Sequence, residues 1–167
     1  MSFQQQYVTN VYDKIADRFS ITRAYLWRGV KEFILDLNSN SLILDAGCGN
    51  GKNMFRKDCS FIGIDSSQSM VDIVNGQNKK AIVADICKVP FNNNYFDATI
   101  SIAVIHHLES YTKRKDAIDE LIRVTKSGGK IFIQVWEDMV NKGKKFELID
   151  ENSTDYLVSW DNRDGKE

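Results

Sequence analysis

Leu42-Ile43-Leu44-Asp45-Ala46-Gly47-Cys48-Gly49-Asn50-Gly51 is the stretch around which the rest of the chain is organised. An apolar run that ends at clustered glycines predicts a strand buried on both faces that breaks into a tight turn. Gly47, Gly49 and Gly51 allow that turn to use positive φ and let a ligand lie against bare backbone. A second apolar run, Phe61-Ile62-Gly63-Ile64, ends at Asp65, whose carboxylate can accept both hydroxyls of a ribose. Two such strand ends side by side predict a nucleoside-shaped ligand.

The spacing narrows the choice of nucleoside. A dinucleotide-binding turn reads Gly-x-Gly-x-x-Gly and sets a pyrophosphate on a helix N-terminus. Here the glycines are one residue closer, and Asp45 stands two residues before the first. A carboxylate in that place suits a positively charged ligand better than a pyrophosphate. S-adenosyl-L-methionine carries a sulfonium and an ammonium. With Asp45, Asp65 and Asp85 each at a predicted strand end, it is the expected cofactor. The plain alternative is a glycine turn that binds nothing.

Around this centre the chain alternates helices and strands. Tyr7, Val11, Ile15 and Phe19 predict an amphipathic helix over 3–19, and Trp27, Val30, Phe33, Ile34 and Leu37 another over 24–37. Phe19-Ser20-Ile21-Thr22-Arg23 reads as a polar break between them. Ser66 or Ser67 can cap a helix that ends at Asn75-Gly76. Ala81–Asp85, Phe96–Ile102 and Lys130–Trp136 are further expected strands. A helix over about 112–126 should turn Ala117, Ile118, Leu121 and Ile122 inward and stop at Ser127-Gly128-Gly129. After 136 the chain turns polar, and no final strands are evident. The expected fold class is α/β, a parallel central sheet flanked by helices.

Composition adds bounds. The 167 residues fit a single domain, with 1–38 forming N-terminal helices, 40–136 the cofactor-binding core and 137–167 a polar tail. A hydrophobic fraction of 43% and a charged fraction of 27% are ordinary for a globular chain. No membrane span or signal peptide is visible. Cys48, Cys59 and Cys87 are odd in number and scattered, so a reducing cytoplasmic setting is expected, with the nucleus as a second compartment. No metal site is indicated. A net charge of −1 argues against a strong nucleic-acid footprint from the chain alone, so affinity for a nucleic acid would have to come from local basic patches or from a partner.

The motif set Leu-Asp-Ala-Gly-Cys-Gly-Asn-Gly, Gly-Ile-Asp, Ala-Asp and Phe-Asp-Ala-Thr-Ile-Ser-Ile resembles the Rossmann-like class I S-adenosylmethionine-dependent methyltransferases. Within them, Tyr12-Asp13-Lys14-Ile15-Ala16, Phe19-Ser20-x-Thr22-Arg23, Ser101-Ile102-Ala103-Val104-Ile105-His106-His107 and Val135-Trp136 resemble the tRNA wobble-uridine methyltransferases. Those enzymes esterify 5-carboxymethyluridine in certain anticodons, and the likeness covers residues 7–136. It implies that Asp45, Gly47 and Gly49 hold the methionine end of the cofactor. Asp65 would take the ribose, with Ser66 beside it in the binding set. Asp85 and Ile86 would face the adenine, and Ala103 the sulfonium.

A substrate carboxylate is already ionised at pH 7, since such groups titrate near ~4, so the reaction requires no general base. Alignment and exclusion of water are what the protein must supply. Arg23 is the candidate to orient the substrate carboxylate, His106 to contact substrate or phosphate, and Trp136 to stack on the flipped base. The family also implies a tRNA substrate and a small zinc-binding activator protein that covers an apolar edge near Ala81–Ala84. The family's last pair of strands is expected to be missing. Two other readings stay open: a small-molecule methyltransferase of the same fold, and a silent cofactor-binding subunit.

Overall fold

The computed structural model describes residues 9–22, 25–135, 146–148 and 156–158. Two compact units make up the chain, Met1–Val135 and Trp136–Glu167. In the first, helices α1 (Asn10–Thr22) and α2 (Arg28–Leu35) precede strand β1 (Leu42–Ala46). Then follow β2 (Ser60–Asp65), α3 (Gln68–Gly76), β3 (Ala81–Val83), β4 (Phe96–Ile102), a 3-10 turn at Ile105–His107, α4 (Tyr111–Val124) and β5 (Thr125–Gln134). The five strands form one parallel sheet in the order β3-β2-β1-β4-β5.

Central position explains composition. β1 is paired on both sides, with Asp45 opposite Gly63 on β2 and Ile100 on β4. Its Ile43, Leu44, Asp45 and Ala46 are completely buried. Leu44 and Ala46 pack with Phe96, Ala117, Leu121 and Val124 toward α4. Ile43 and Ala98 pack with Leu37, and Ile100 and Ile102 with Val30 and Ile34, toward α2. Full burial of a residue such as Phe96 contributes roughly 1.5–3 kcal/mol.

Helix ends are satisfied locally. Ser67 caps α3 by accepting from Met70 N at 3.2 Å, and Ser110 caps α4 by accepting from Lys113 N at 3.2 Å. Arg56 donates to Ile34 O at 3.0 Å, a cation placed on the carbonyl end of α2. Asp97 accepts from Leu42 N at 2.8 Å and fixes the entry to β1. Arg123 pins the loop before β4 through Phe91 O and Val89 O, each at 2.8 Å.

Several expectations need correction. α1 runs through the presumed break at Phe19–Thr22, where no glycine or proline stops a helix. The stripe of α4 that turns inward is Ala117, Leu121 and Val124; Ile118 and Ile122 lie one position further round and are 37% and 57% exposed. β5 begins at Thr125, and the Ser127-Gly128-Gly129 turn sits inside it as an irregularity between Phe96 and Ala98 of the partner strand. Two short strands also stand where a strandless polar tail was expected. β6 (Phe146–Leu148) and β7 (Tyr156–Val158) pair antiparallel as a two-stranded sheet, with Phe146 opposite Val158. Three residues each are too few to show an alternation in sequence.

At the far edge β3 leaves Ile82 36% and Val83 47% exposed. Among the described residues, no helix is long and apolar enough to cross a membrane.

Candidate functional site

Strand order reverses between β1 and β4, and open parallel sheets bind ligands in the crevice beside the carboxyl ends at such a reversal. The glycine loop occupies that position. Gly47, Gly49 and Gly51 have φ of +79°, +51° and +70°, as the turn reading requires. Gly47 N and Cys48 N both donate to Ile64 O, at 2.8 and 3.0 Å, which seats the loop against β2.

On the β4 side the chain leaves the strand through Ala103, which holds φ +59° with no glycine to ease it. Left-handed backbone costs an L-residue roughly 1–2 kcal/mol, and such strain concentrates at functional positions. The turn carries Val104 across Gly47, where an added Cβ would come within 2.2 Å of Val104 Cγ2. Gly47 is therefore required by close approach as well as by φ.

Asp45 is the most unusual group here. It is fully buried, and its Oδ2 accepts from Asn53 Nδ2 at 3.3 Å. Its Oδ1, and the Oδ1 of Asn53, are buried with no partner among the described residues. Burial pushes the carboxyl up to about 7, with the Asn53 bond pulling the other way. Two adjacent acceptors lacking donors call for a ligand that brings N–H groups, and an ammonium brings three. These residues fit the methionine end of S-adenosylmethionine.

Asp65 closes the loop from β2. Its Oδ2 accepts from Gly49 N at 2.9 Å and its Oδ1 from Ser67 N at 3.0 Å. Burial raises its pKa while these backbone bonds oppose the shift. Each oxygen retains further acceptor capacity, so the carboxylate can bond to hydroxyls while it orders the loop. Ser66 is exposed and accepts from Thr9 Oγ1 at 3.2 Å. Asp85 lies two residues past β3, exposed, with its Oδ1 on Cys87 N at 2.8 Å. Ile86 is a core residue whose side chain is only 6% exposed.

Some contributors were not foreseen. Asn53 sits in a polar loop with nothing in its type to mark it, and Val104 reads as one apolar residue among many. α1 lies against the same region: Asp13 Oδ1 accepts from Ser67 Oγ at 2.5 Å and Ser69 N at 3.2 Å. Tyr12 Oη pairs with His107 Nε2 at 3.2 Å. Burial pushes His107 down to about 4 and also lowers His106, whose ring lies 4.3 Å from it, so both are neutral at pH 7. Arg23 and Trp136 lie outside the described residues.

The arrangement has known counterparts. Residues 44–133 match the methyltransferase domain family. A putative methyltransferase of Encephalitozoon cuniculi is 34% identical over 164 residues, covering 96% of this chain and 77% of that protein. The chain belongs to the methyltransferase domain family. A tRNA (carboxymethyluridine(34)-5-O)-methyltransferase of Arabidopsis thaliana is 46% identical to this methyltransferase domain over 134 residues. That match covers 80% of the chain and 33% of the relative, and the chain spans a third or less of the length of the relatives bearing that name. Among solved structures, a complex between the Haloferax volcanii Trm112 methyltransferase activator and the putative methyltransferase aligns with TM-score 0.66. It is 19% identical and covers 75% of this chain and 59% of that one, a likeness of fold.

Proposed function

We propose that this methyltransferase domain uses S-adenosylmethionine to esterify the carboxymethyl group of wobble uridine in tRNA. The observation that carries the substrate is the 46% identity over 134 residues to a relative named for that reaction. The unmet acceptors of Asp45 and Asn53 carry the cofactor.

Asp45, Asn53 and the Gly47–Gly49 backbone would hold the methionine end, Asp65 with Ser66 the ribose, and Asp85 with the Ile86 backbone the adenine. Ala103 would stand at the sulfonium end. When bound, the cofactor supplies an electrophilic methyl group. The protein's own part is positional: Arg23 orients the substrate carboxylate, and Trp136 gives a flipped base a stacking face. His106, neutral at pH 7, serves as a hydrogen-bonding contact to substrate and not as a phosphate-binding cation. A cytoplasmic site of action, with the nucleus as a second compartment, belongs to the same reading.

A small zinc-binding activator protein is the proposed partner. The exposed Ile82 and Val83 of edge strand β3 support it, since apolar sheet edges need cover. The Haloferax complex, in which a methyltransferase of this fold is paired with an activator, supports it further.

Transfer of labelled methyl to tRNA lacking the wobble ester, with and without activator, tests the proposal. Label at the wobble uridine that mild alkali releases is the expected outcome. No incorporation in either condition, with cofactor binding intact, would leave a silent cofactor-binding subunit. Asp65→Ala should weaken cofactor binding at least tenfold by losing charge-assisted bonds and loop order. Arg23→Ala should spare binding and abolish transfer. Equal affinity in the first, or undiminished turnover in the second, contradicts these roles.

A further inference from the structure

Gln134, the last residue of β5, has no role in the proposed function, and its side chain does no evident work in the fold. Its Oε1 is buried with no hydrogen-bond partner among the described residues. An unmet buried acceptor is costly, and leucine would fill the same space without that penalty. The residue as a whole is only half-buried, so the amide stands at the wall of the crevice and not inside the core. Its backbone is tied to the site: Ala103 N donates to Gln134 O at 2.7 Å, joining the end of β5 to the left-handed turn.

Register decides which way the side chain faces. Asp45 is opposite Ile100 and Ile100 opposite Phe132, so the three form one row across β1, β4 and β5. Residues two apart on a strand share a face, which puts Gln134 on the Asp45 face, one step nearer the carboxyl edge. Two strand spacings and two residues separate them, roughly 12 Å between Cα atoms. That is too far for Gln134 to share a ligand's ammonium with Asp45. The start of α2 spans the interval. At one end, Lys52 Nζ of the glycine loop lies 5.8 Å from the Trp27 ring centroid. At the other, a Cβ on Gly29 would stand 3.5 Å from Phe132 Cζ and 4.0 Å from Gln134 Oε1. The unmet amide therefore lines the same crevice as Asp45, on the β5 side and beyond reach of the methionine end.

We propose that Gln134 reads the hydrogen-bonding edge of the uracil ring whose carboxymethyl group receives the methyl. This rests on the wobble-uridine reading above and adds to it a residue that selects the base. A primary amide holds an acceptor and two donor hydrogens in one plane. Uracil presents N3–H between two carbonyls, an edge that an unstacked base leaves open. Gln134 Oε1 accepts the N3–H while Nε2 donates to a neighbouring carbonyl, a planar pair of the kind by which glutamine reads adenine.

Two anticodon stem-loops test the assignment, one with 5-carboxymethyluridine at the wobble position and one with its N3-methyl derivative. For the wild-type chain with activator, kcat/KM should be about 10- to 100-fold lower on the N3-methyl RNA, the scale of one bidentate base contact. Gln134→Leu should lose about that factor on the unmethylated RNA and separate the two RNAs by less than about threefold. Its affinity for S-adenosylhomocysteine should be unchanged and its Tm at least that of the wild type, because no bond within the chain is lost. A glutamine that only supports the end of β5 would lower both RNAs equally and leave the preference intact, and that result overturns the proposal. Weakened S-adenosylhomocysteine binding in a folded Gln134→Leu also overturns it, since the side chain would then serve the cofactor half. Should Gln134→Leu not fold, Gln134→Met carries the same comparison. A wild-type chain that methylates both RNAs alike overturns the role of Gln134 and leaves the proposed function standing. One that methylates neither overturns the proposed function and the role of Gln134 with it.

Discussion

Asp45→Asn should make the unliganded chain more stable above pH 7 while removing its affinity for S-adenosylmethionine. The Asp45 carboxyl titrates at about 7 in the folded chain, against an ordinary value of 3.8. The folded state thus holds that proton more tightly than the unfolded chain. The stability this lends is complete below about pH 4 and is lost as pH rises through 7. Above that range the ionised, half-partnered carboxylate costs roughly 2–4 kcal/mol. Asparagine is isosteric, can keep a bond to Asn53, and carries no charge to desolvate. Urea unfolding at pH 5 and pH 8 checks the point: the gain should appear at pH 8 and be small at pH 5. Calorimetry should show cofactor affinity reduced by about 100-fold or more, the usual scale for removing one member of a buried ion pair. Equal stability of the two proteins at pH 8 would mean that Asp45 is not strained by its burial.

Gly47→Ala should be the most damaging single methyl in the loop. Alanine at φ +79° carries about 1–2 kcal/mol of backbone strain. Its Cβ would also meet Val104 Cγ2 at 2.2 Å and Cγ1 at 2.9 Å, an overlap that typically costs about 1–3 kcal/mol. A loss of about 2–5 kcal/mol is expected, with cofactor binding lost at the same time because the loop must shift. Adding Val104→Ala removes the overlap but not the φ strain, so the double variant should regain part of the stability. A drop below about 1 kcal/mol for Gly47→Ala, or no recovery in the double variant, would contradict the close approach of loop and β4 exit.

Much of this site was written in residue types. β1, β2 and β4 lie in the middle of the sheet and are covered on both faces, so they read as unbroken apolar runs, and Phe96–Ile102 has the bounds expected of it. Gly47, Gly49 and Gly51 each need positive φ, and the acids follow at the strand ends. What was hidden depends on neighbours far away in sequence. Asn53 matters because its amide meets Asp45, and Val104 because Ala103 bends the wrong way for its type. Lys79 looks like any surface lysine until its Nζ is found on Gly51 O. The end of α1 was misplaced because polar residues alone do not stop a helix. The pair β6–β7 was missed because each strand is shorter than one cycle of a usable pattern.

The central place of β1 also sets an order of assembly. β1, β2, α3 and β3 are consecutive elements, joined by the glycine loop over 47–59 and then by two short connections, so this half can form from local contacts. The other flank of β1 must wait for β4, whose residues pair with Ile43–Asp45 from more than fifty positions downstream. During synthesis from the N-terminus the strand that carries Asp45 is open along one side until Phe96–Ile102 has emerged. That interval exposes an apolar ladder of unpaired backbone, the kind of surface on which nascent chains associate wrongly. Conditions that slow translation between residues 65 and 96 should therefore lower the soluble yield more than the same delay after 102.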